Sequence, residues 1–489
     1  MNKILLIEPY RTWLDKYSDN KHFSIYADKT LHHWGADGTA KISEGISYPS
    51  EIDKAIDIDE IRAKIEWAMP IWYRWIGEVE NYEIFRRTSL LFIISLAQKL
   101  TRLNVKHAIF TTGASHHVEY SLIEIACQIA NVRQIYLYAM PFGKDARLLP
   151  LIQNQSIRDR ELLGLNISAI SLKKEIAAYR NNHLLGERPQ NNESINIRAT
   201  SCKFAVLQVA KGLIKEVAKK ILRWKVAKKE HFIDQCSDYS YVSLLKIIGK
   251  QKEALDYYMS RAVKDDFVGD IIAREAQLPI IFAHYQPEAT SFPEGGDLSN
   301  HVDIVLEIRR MGYRGTILYK EHPGSWIYHS KITGFSRVGL YRSVEYYKQL
   351  EALGCVFLKP SYKLTEQNIR SLLPVTITGS IGIERSLVGL ATCCAGEPWF
   401  KGAPGIYSVH ETFKDGGILV DSKHWYFNSD LAMKWFEANL SQKTINNFYG
   451  SGTGVVTSTE ADKAEYLMEL DNLCACLLSS DADNKLRCQ

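Results

Sequence analysis

Four stretches of this chain carry side chains that can do chemistry. Lys320-Glu321-His322-Pro323 closes an apolar run, Ile317-Leu318-Tyr319. The proline fixes its own φ and biases His322 toward extended backbone, which aims the imidazole away from a strand end. A histidine there can donate to a phosphate or a sugar hydroxyl, and Lys320 adds positive charge; the same tetrapeptide also serves as a plain turn. Gly379-Ser380-Ile381-Gly382-Ile383-Glu384 follows the β-branched run Val375 to Thr378. Its glycines allow close backbone approach and Ser380 can donate to an oxygen. Glu384 falls in the first turn of the next helix, where the dipole favours a carboxylate. A strand, a glycine loop and a helix N-terminus together form an anion site; without a ligand they form an ordinary capped turn.

Two further loops supply polar groups. His284 to Gly296 holds Gln286, Glu288 and Thr290 among two prolines and two glycines. A long polar loop at a strand end is expected to line a cleft. His284, Gln286, Thr290 and Asn300 are the cleft-lining residues, and Glu288 is the carboxylate to test first. Thr111 to Glu119 carries His116, His117 and Glu119. A reaction that deprotonates a hydroxyl needs a base, and a histidine or carboxylate serves. The adjacent histidines could instead bind metal, but no third ligand stands at a convincing spacing, or one of them could be a hydrogen-bonded turn residue. The catalytic candidates are therefore Glu288, His116, His117 and Glu119, with no metal or cofactor expected. Neither the full phosphate-loop pattern nor the dinucleotide fingerprint is present, so the sequence supports neither a kinase nor a dehydrogenase.

The elements that must position these residues alternate. Strands are expected at Ile4 to Ile7, Ala108 to Thr111 and Gln134 to Tyr138, with helices at Ile58 to Met69, Tyr82 to Leu103 and Tyr120 to Ala130. A helix over Leu255 to Glu275 precedes a second series. Its strands are Pro279 to Ala283, Thr316 to Tyr319, Val356 to Leu358, Val375 to Thr378 and Thr392 to Ala395. Its helices are His301 to Arg310, Val344 to Leu353, Thr365 to Leu372 and Ile383 to Ala391, and helical stretches Asp430 to Leu440 and Ala461 to Leu478 follow. Two successive βα series predict an α/β chain with parallel sheets, whose ligands bind at the carboxyl ends of the strands.

At 489 residues the chain calls for two domains of about 200 residues each. The expected division is 1–275, 276–450 and a helical tail, 451–489. A net charge of +4 argues against wholesale nucleic-acid binding. Between Lys203 and Lys229 lies a basic amphipathic helix pattern with nine lysines and arginines against Glu216. It suits a membrane surface or an acidic partner, or a helix packed on its domain with a solvated basic side. The run Met1 to Pro9 reads as a buried strand rather than an export signal, and no segment approaches the ~20 apolar residues of a membrane span. The nine cysteines lack zinc or redox spacing and fit reduced thiols in cytoplasm.

The motifs Tyr285-Gln286-Pro287-Glu288-Ala289-Thr290, Gly295-Gly296, Lys320 to Pro323, Gly379 to Glu384, Gly396-Glu397-Pro398 and Pro404 to Tyr407 resemble those of bacterial capsular and surface polysaccharide glycosyltransferases. The likeness spans roughly Ile280 to Tyr407, with a weaker match over Ser115 to Ala130. It implies a GT-B fold, two Rossmann-like domains facing a cleft, related to the Kdo and sialic-acid transferases. His322 and Pro323 would hold a donor nucleotide, with CMP the one the resemblance suggests, and Lys320 and Gly379 beside it. Ser380 would bind phosphate, and Glu384 would hold ribose or position its helix. Those transferases often carry a paired serine loop where this chain has Gly379-Ser380. The implied partners are a nucleotide-sugar donor and a lipid-linked or polysaccharide acceptor, in the cytoplasm or on the inner face of its membrane. A CDP-polyol-dependent glycerophosphate or ribitol-phosphate transferase, a sugar-nucleotide epimerase and a non-catalytic polysaccharide assembly protein are the alternatives.

Overall fold

The computed structural model describes residues 3–8, 23–27, 30–34, 41–46, 49, 51–72, 82–110, 118–142, 147–153, 160–183, 210, 214, 241–275, 277–284, 295–322, 342–362, 368–418, 426–446 and 460–487. The basic pattern at Phe204 to Lys229 lies outside the described residues apart from Ala210 and Ile214. The chain divides into two compact units. One comprises Met1–Trp75, Tyr82–Tyr179 and Lys434–Gln489; the other comprises Ile76–Asn81 and Arg180–Met433.

The first unit is built on a sheet of eight strands: β1 Lys3–Glu8, β2 Phe23–Ala27, β3 Thr30–Trp34, β4 Lys41–Gly45, β5 Val105–Phe110, β6 Arg133–Ala139, β7 Leu148–Gln153 and β8 Arg160–Leu162, in the order β4-β3-β2-β1-β5-β6-β7-β8. The central pairs, β2–β1, β1–β5 and β5–β6, are parallel. Ile4, Leu5, Leu6 and Ile7 of β1 are all fully buried, the mark of a parallel strand covered on both faces. The outer pairs β2–β3, β3–β4, β6–β7 and β7–β8 are antiparallel. Helices Tyr82–Arg102 and Val118–Ile129 pack together in this unit. The last helix, Glu460–Arg487, sets Tyr466, Leu470, Leu473, Cys474 and Leu477 against Ile4, Leu6, Ile109 and Ile135. That spacing is one apolar stripe of an α-helix. Arg147, just before β7, fastens the helix: its Nη2 donates to both carboxylate oxygens of buried Glu469, at 2.6 and 2.7 Å.

The second unit carries an all-parallel six-stranded sheet: β9 Leu278–Phe282, β10 Ile317–Lys320, β11 Cys355–Leu358, β12 Leu372–Thr376, β13 Thr392–Cys394 and β14 Ile406–Ser408. Its order, β11-β10-β9-β12-β13-β14, runs third, second, first, fourth, fifth, sixth along the chain. That is the doubly wound order, and the direction of winding reverses between β9 and β12. Helices His301–Arg310, Val344–Ala352 and Ile381–Leu387 connect successive strands. A small antiparallel pair, β15 Phe413–Lys414 and β16 Gly417–Ile418, follows. The α/β class with two Rossmann-like halves, expected from the sequence, is thus present.

Two expected elements differ. Leu255 to Glu275 is not one helix: Tyr241–Arg261 and Asp265–Arg274 are separated by a break. At the break the Val263 amide donates to the Phe357 carbonyl on edge strand β11 at 2.9 Å, a bond a continuous helix would spend internally. The expected helix Thr365 to Leu372 is replaced, within the described residues, by a turn over 368–371 and by β12, which begins at Leu372. Pro374 lies inside β12, where the strand is paired with β9 and its pairing with β13 begins only at Val375. A proline is tolerated in a strand where no ladder bond is asked of it. Among the described residues, no helix is long and apolar enough to cross a membrane.

Candidate functional site

The carboxyl ends of β9, β10 and β12 bring three of the predicted residues, His284, His322 and Gly379, into one hydrogen-bonded network. His284 ends the stretch after β9 and is buried. Its ring is seated on β12: the Thr378 amide donates to its Nε2 at 3.2 Å, and Thr376 Oγ1 lies 3.0 Å from the same nitrogen. The Gly379 amide donates to Thr376 Oγ1 at 3.2 Å. Oγ1 therefore accepts from Gly379 and donates to His284, and Nε2 is an acceptor twice over. A neutral imidazole that accepts at Nε2 carries its proton on Nδ1. Gly379 is required by this arrangement, because a Cβ there would sit 2.5 Å from Thr376 Oγ1 and 3.4 Å from His284 Nε2.

The backbone of His284 is held as firmly as its ring. Its amide donates to Nε2 of His301 at 3.0 Å, and its carbonyl accepts from Nη2 of Arg342 at 3.2 Å. His301, fully buried, is thereby also an Nδ1–H tautomer, and its Nδ1 lies 3.2 Å from the Tyr346 hydroxyl. Tyr346 and Tyr319 share a bond of 3.1 Å, and Tyr319 donates to Oε2 of Glu321 at 3.1 Å. Tyr347 adds a donor to the same oxygen at 2.8 Å. Glu321 and Arg342 are both entirely buried, and Arg342 grips the carboxylate through Nε at 2.7 Å and Nη2 at 3.3 Å. The guanidinium also lies 4.7 Å above the centre of the Tyr346 ring. Tyr258 accepts from the Glu321 amide at 3.1 Å and donates to the Leu358 carbonyl at the end of β11. The ends of β9, β10 and β11 are thus joined through one buried ion pair and its tyrosines.

The electrostatics follow from burial. Burial, then the charges of His322 and Arg342, push the His284 pKa down to about 3. His301 is pushed well below the usual histidine range, by burial first and then by Arg342 and His284. Both imidazoles are neutral at pH 7. Burial opposes ionisation of Glu321, but the Arg342 charge and hydrogen bonds from Arg342 and Tyr347 outweigh it and hold the carboxyl below its usual range. Tyr258, Tyr319 and Tyr347 are raised far above the usual phenol range, chiefly by burial, and stay protonated.

His322 follows Glu321, half-buried, and its amide donates to Oε1 of Glu321 at 3.0 Å. Lys320, the last residue of β10, is buried with its amine 5.6 Å from the centre of the Phe282 ring. Ser380 opens the helix Ile381–Leu387, and its hydroxyl donates to Oε1 of buried Glu384 at 3.2 Å. Asn300 is a helix cap: its side chain accepts from the Val302 amide at 3.0 Å and so starts the helix that presents His301. Glu119 lies in the helix Val118–Ile129 of the first unit. His116, His117, Gln286, Glu288, Thr290 and Pro323 lie outside the described residues. Among the described residues, no group of three or more His, Cys, Asp or Glu side chains could hold a metal ion.

The site also contains residues that motif reading passed over. Glu321 stood in plain view between Lys320 and His322, but read as spacing. Arg342, His301, Thr376 and the four tyrosines have no motif of their own. The usable signal was their type, since an arginine and a run of tyrosines beside core strands must find buried partners.

No protein-family model and no curated protein sequence matches the chain. Among solved structures, the UDP-GlcNAc 2-epimerase of Methanocaldococcus jannaschii, crystallised with UDP-GlcNAc and UDP, aligns over 92% of this chain and 96% of its own. The identity is 9% and the TM-score 0.20, a superposition too loose to assign fold or activity.

Proposed function

We propose that the chain is a nucleotide-sugar-dependent glycosyltransferase of the GT-B plan, with the donor nucleotide held by the second unit. The observation that supports this most is the convergence of His284, His322 and Gly379 at the reversal point of a doubly wound parallel sheet, where such sheets take their ligands. In this reading His322 and Pro323 hold the nucleotide, and Ser380 turns its hydroxyl from Glu384 to a phosphate when the donor arrives. Glu384 then takes ribose hydroxyls or keeps its helix in place. A base from Glu288, His116, His117 or Glu119 deprotonates the acceptor hydroxyl. The motif resemblance favours a CMP-linked donor and a surface glycan as acceptor, with the basic segment near Phe204 to Lys229 resting on the inner membrane.

Thermal unfolding with CMP, CDP, UMP, UDP and GDP, on the wild type and His322→Ala, tests the reading. A nucleotide at about 100 times its Kd stabilises its host by ~2.7 kcal/mol. A shift with CMP that is lost in His322→Ala is the expected result. A shift with UDP or GDP instead keeps the enzyme class and changes the donor. The absence of a shift with every nucleotide overturns the donor site.

A further inference from the structure

The side chain of Arg342 ties together the ends of β9 and β10. Through Nη2 it takes the carbonyl of His284, and through Nε and Nη2 it takes both oxygens of Glu321. Each partner governs an imidazole. The His284 peptide carries a ring whose Nε2 rests on Thr376 and Thr378. Glu321 directly precedes His322 and accepts its amide. The His322 charge helps to lower the His284 pKa, so the two imidazoles lie within electrostatic reach of one another. Arginine suits this place and lysine does not. The bonds leave one planar group in fixed directions, and the plane lies over Tyr346, whereas an ammonium is a point charge without a face to stack.

We propose that Arg342 is a positioning residue of the ligand site: it fixes the backbones of His284 and Glu321 so that the imidazoles of His284 and His322 are presented together. For its ligand the proposal rests on the donor-site reading above; its geometry stands apart from that reading. The mark of a correctly seated His284 is its tautomer, with Nε2 unprotonated. A ring that leaves Thr376 and Thr378 loses the two donors that impose that state and reverts to the mixture of free imidazole, in which Nε2 carries the proton more often.

Removing Arg342 alone leaves Glu321 buried and unpaired, which threatens the fold. The informative variant is therefore Arg342→Met with Glu321→Gln, which removes both charges and keeps one amide oxygen to accept from Tyr319 and Tyr347. Arg342→Lys is the conservative companion. In the full chain, ¹⁵N imidazole spectra near pH 7 report the tautomer of His284, assigned through His284→Gln. Calorimetry reports affinity for whichever of CMP, CDP, UMP, UDP or GDP the wild type binds. The expected result is a double variant with native near-UV circular dichroism and cooperative unfolding, mixed His284 tautomers and affinity lowered about tenfold or more. Arg342→Lys should not restore the single tautomer. A folded double variant with His284 still in one tautomer and affinity within about twofold of wild type overturns the proposal. If the wild type binds none of these nucleotides, the donor reading fails, and the tautomer alone decides the role of Arg342: retained, it overturns the proposal; lost, it upholds it.

Discussion

Gly379 stands where a hydroxyl, an imidazole and two backbone amides meet, and it is there because nothing larger fits. Gly379→Ala would put a methyl group 2.5 Å from Thr376 Oγ1. The expected loss is about 1–3 kcal/mol from forced repacking, read as a lower denaturant midpoint, together with a weaker nucleotide response. A variant as stable as wild type would mean that Thr376 is not held as described. The buried histidines give a second prediction. Unfolded, each takes up a proton near pH 6.5; folded, His284 resists until about pH 3, and burial holds His301 well below the usual histidine range. Between these limits the unfolded chain binds more protons, so stability must fall as the pH drops. By pH 5.5 each histidine removes roughly 1.4 kcal/mol of stability relative to its full value above pH 6.5. Denaturation curves at pH 7.5 and 5.5 check this, and a flat profile contradicts the neutral assignment.

At the level of elements, the sequence was legible wherever a run was apolar throughout or periodic. β1, β5, β6, β9 and β10 and the helix His301–Arg310 all stand where the pattern asked for them. Other elements escaped. Strands β3 and β4, at the edge of the first sheet, mix lysine, histidines, serine and glutamate with few apolar residues, so neither period shows; β2, β7, β8 and β14 were not expected either. Pro374 made β12 look shorter than it is, since a proline usually marks a strand's limit. Of the site, His284, His322 and Gly379 were legible because they sit at strand ends in recognisable loops. Arg342 was not, because a buried ion pair is a long-range fact that no local pattern announces. The same holds for the tie between β7 and the last helix. Arg147→Met should destabilise the first unit by about 3 kcal/mol or more, because Glu469 is left buried without its cation. Chemical denaturation followed by tryptophan fluorescence measures it, and a loss under about 1 kcal/mol would show the pair to be dispensable.

At the level of the whole molecule, each unit has its own apolar core. One is centred on Ile4, Ile109, Ile135 and Leu470; the other is centred on Ile281, Tyr319, Tyr347 and Val375. Two cores in one chain predict departure from two-state unfolding. Scanning calorimetry should resolve two transitions. A nucleotide that binds the second unit should raise one of them and leave the other in place. Equal displacement of both would mean that the ligand bridges the units or that they unfold together.

The first unit is assembled from the beginning and the end of the chain, and the second is inserted between them. On the ribosome this has an order built into it. The second unit has all its residues once Met433 has emerged, and its sheet can close while synthesis continues. The first unit has seven of its eight strands by Gln153, yet the helix that covers them, Glu460–Arg487, is made roughly 300 residues later. At ordinary translation rates that is on the order of half a minute. For that interval the apolar face of an early sheet is uncovered, so the nascent chain has a fixed window in which a chaperone is most needed, and it closes with the last helix.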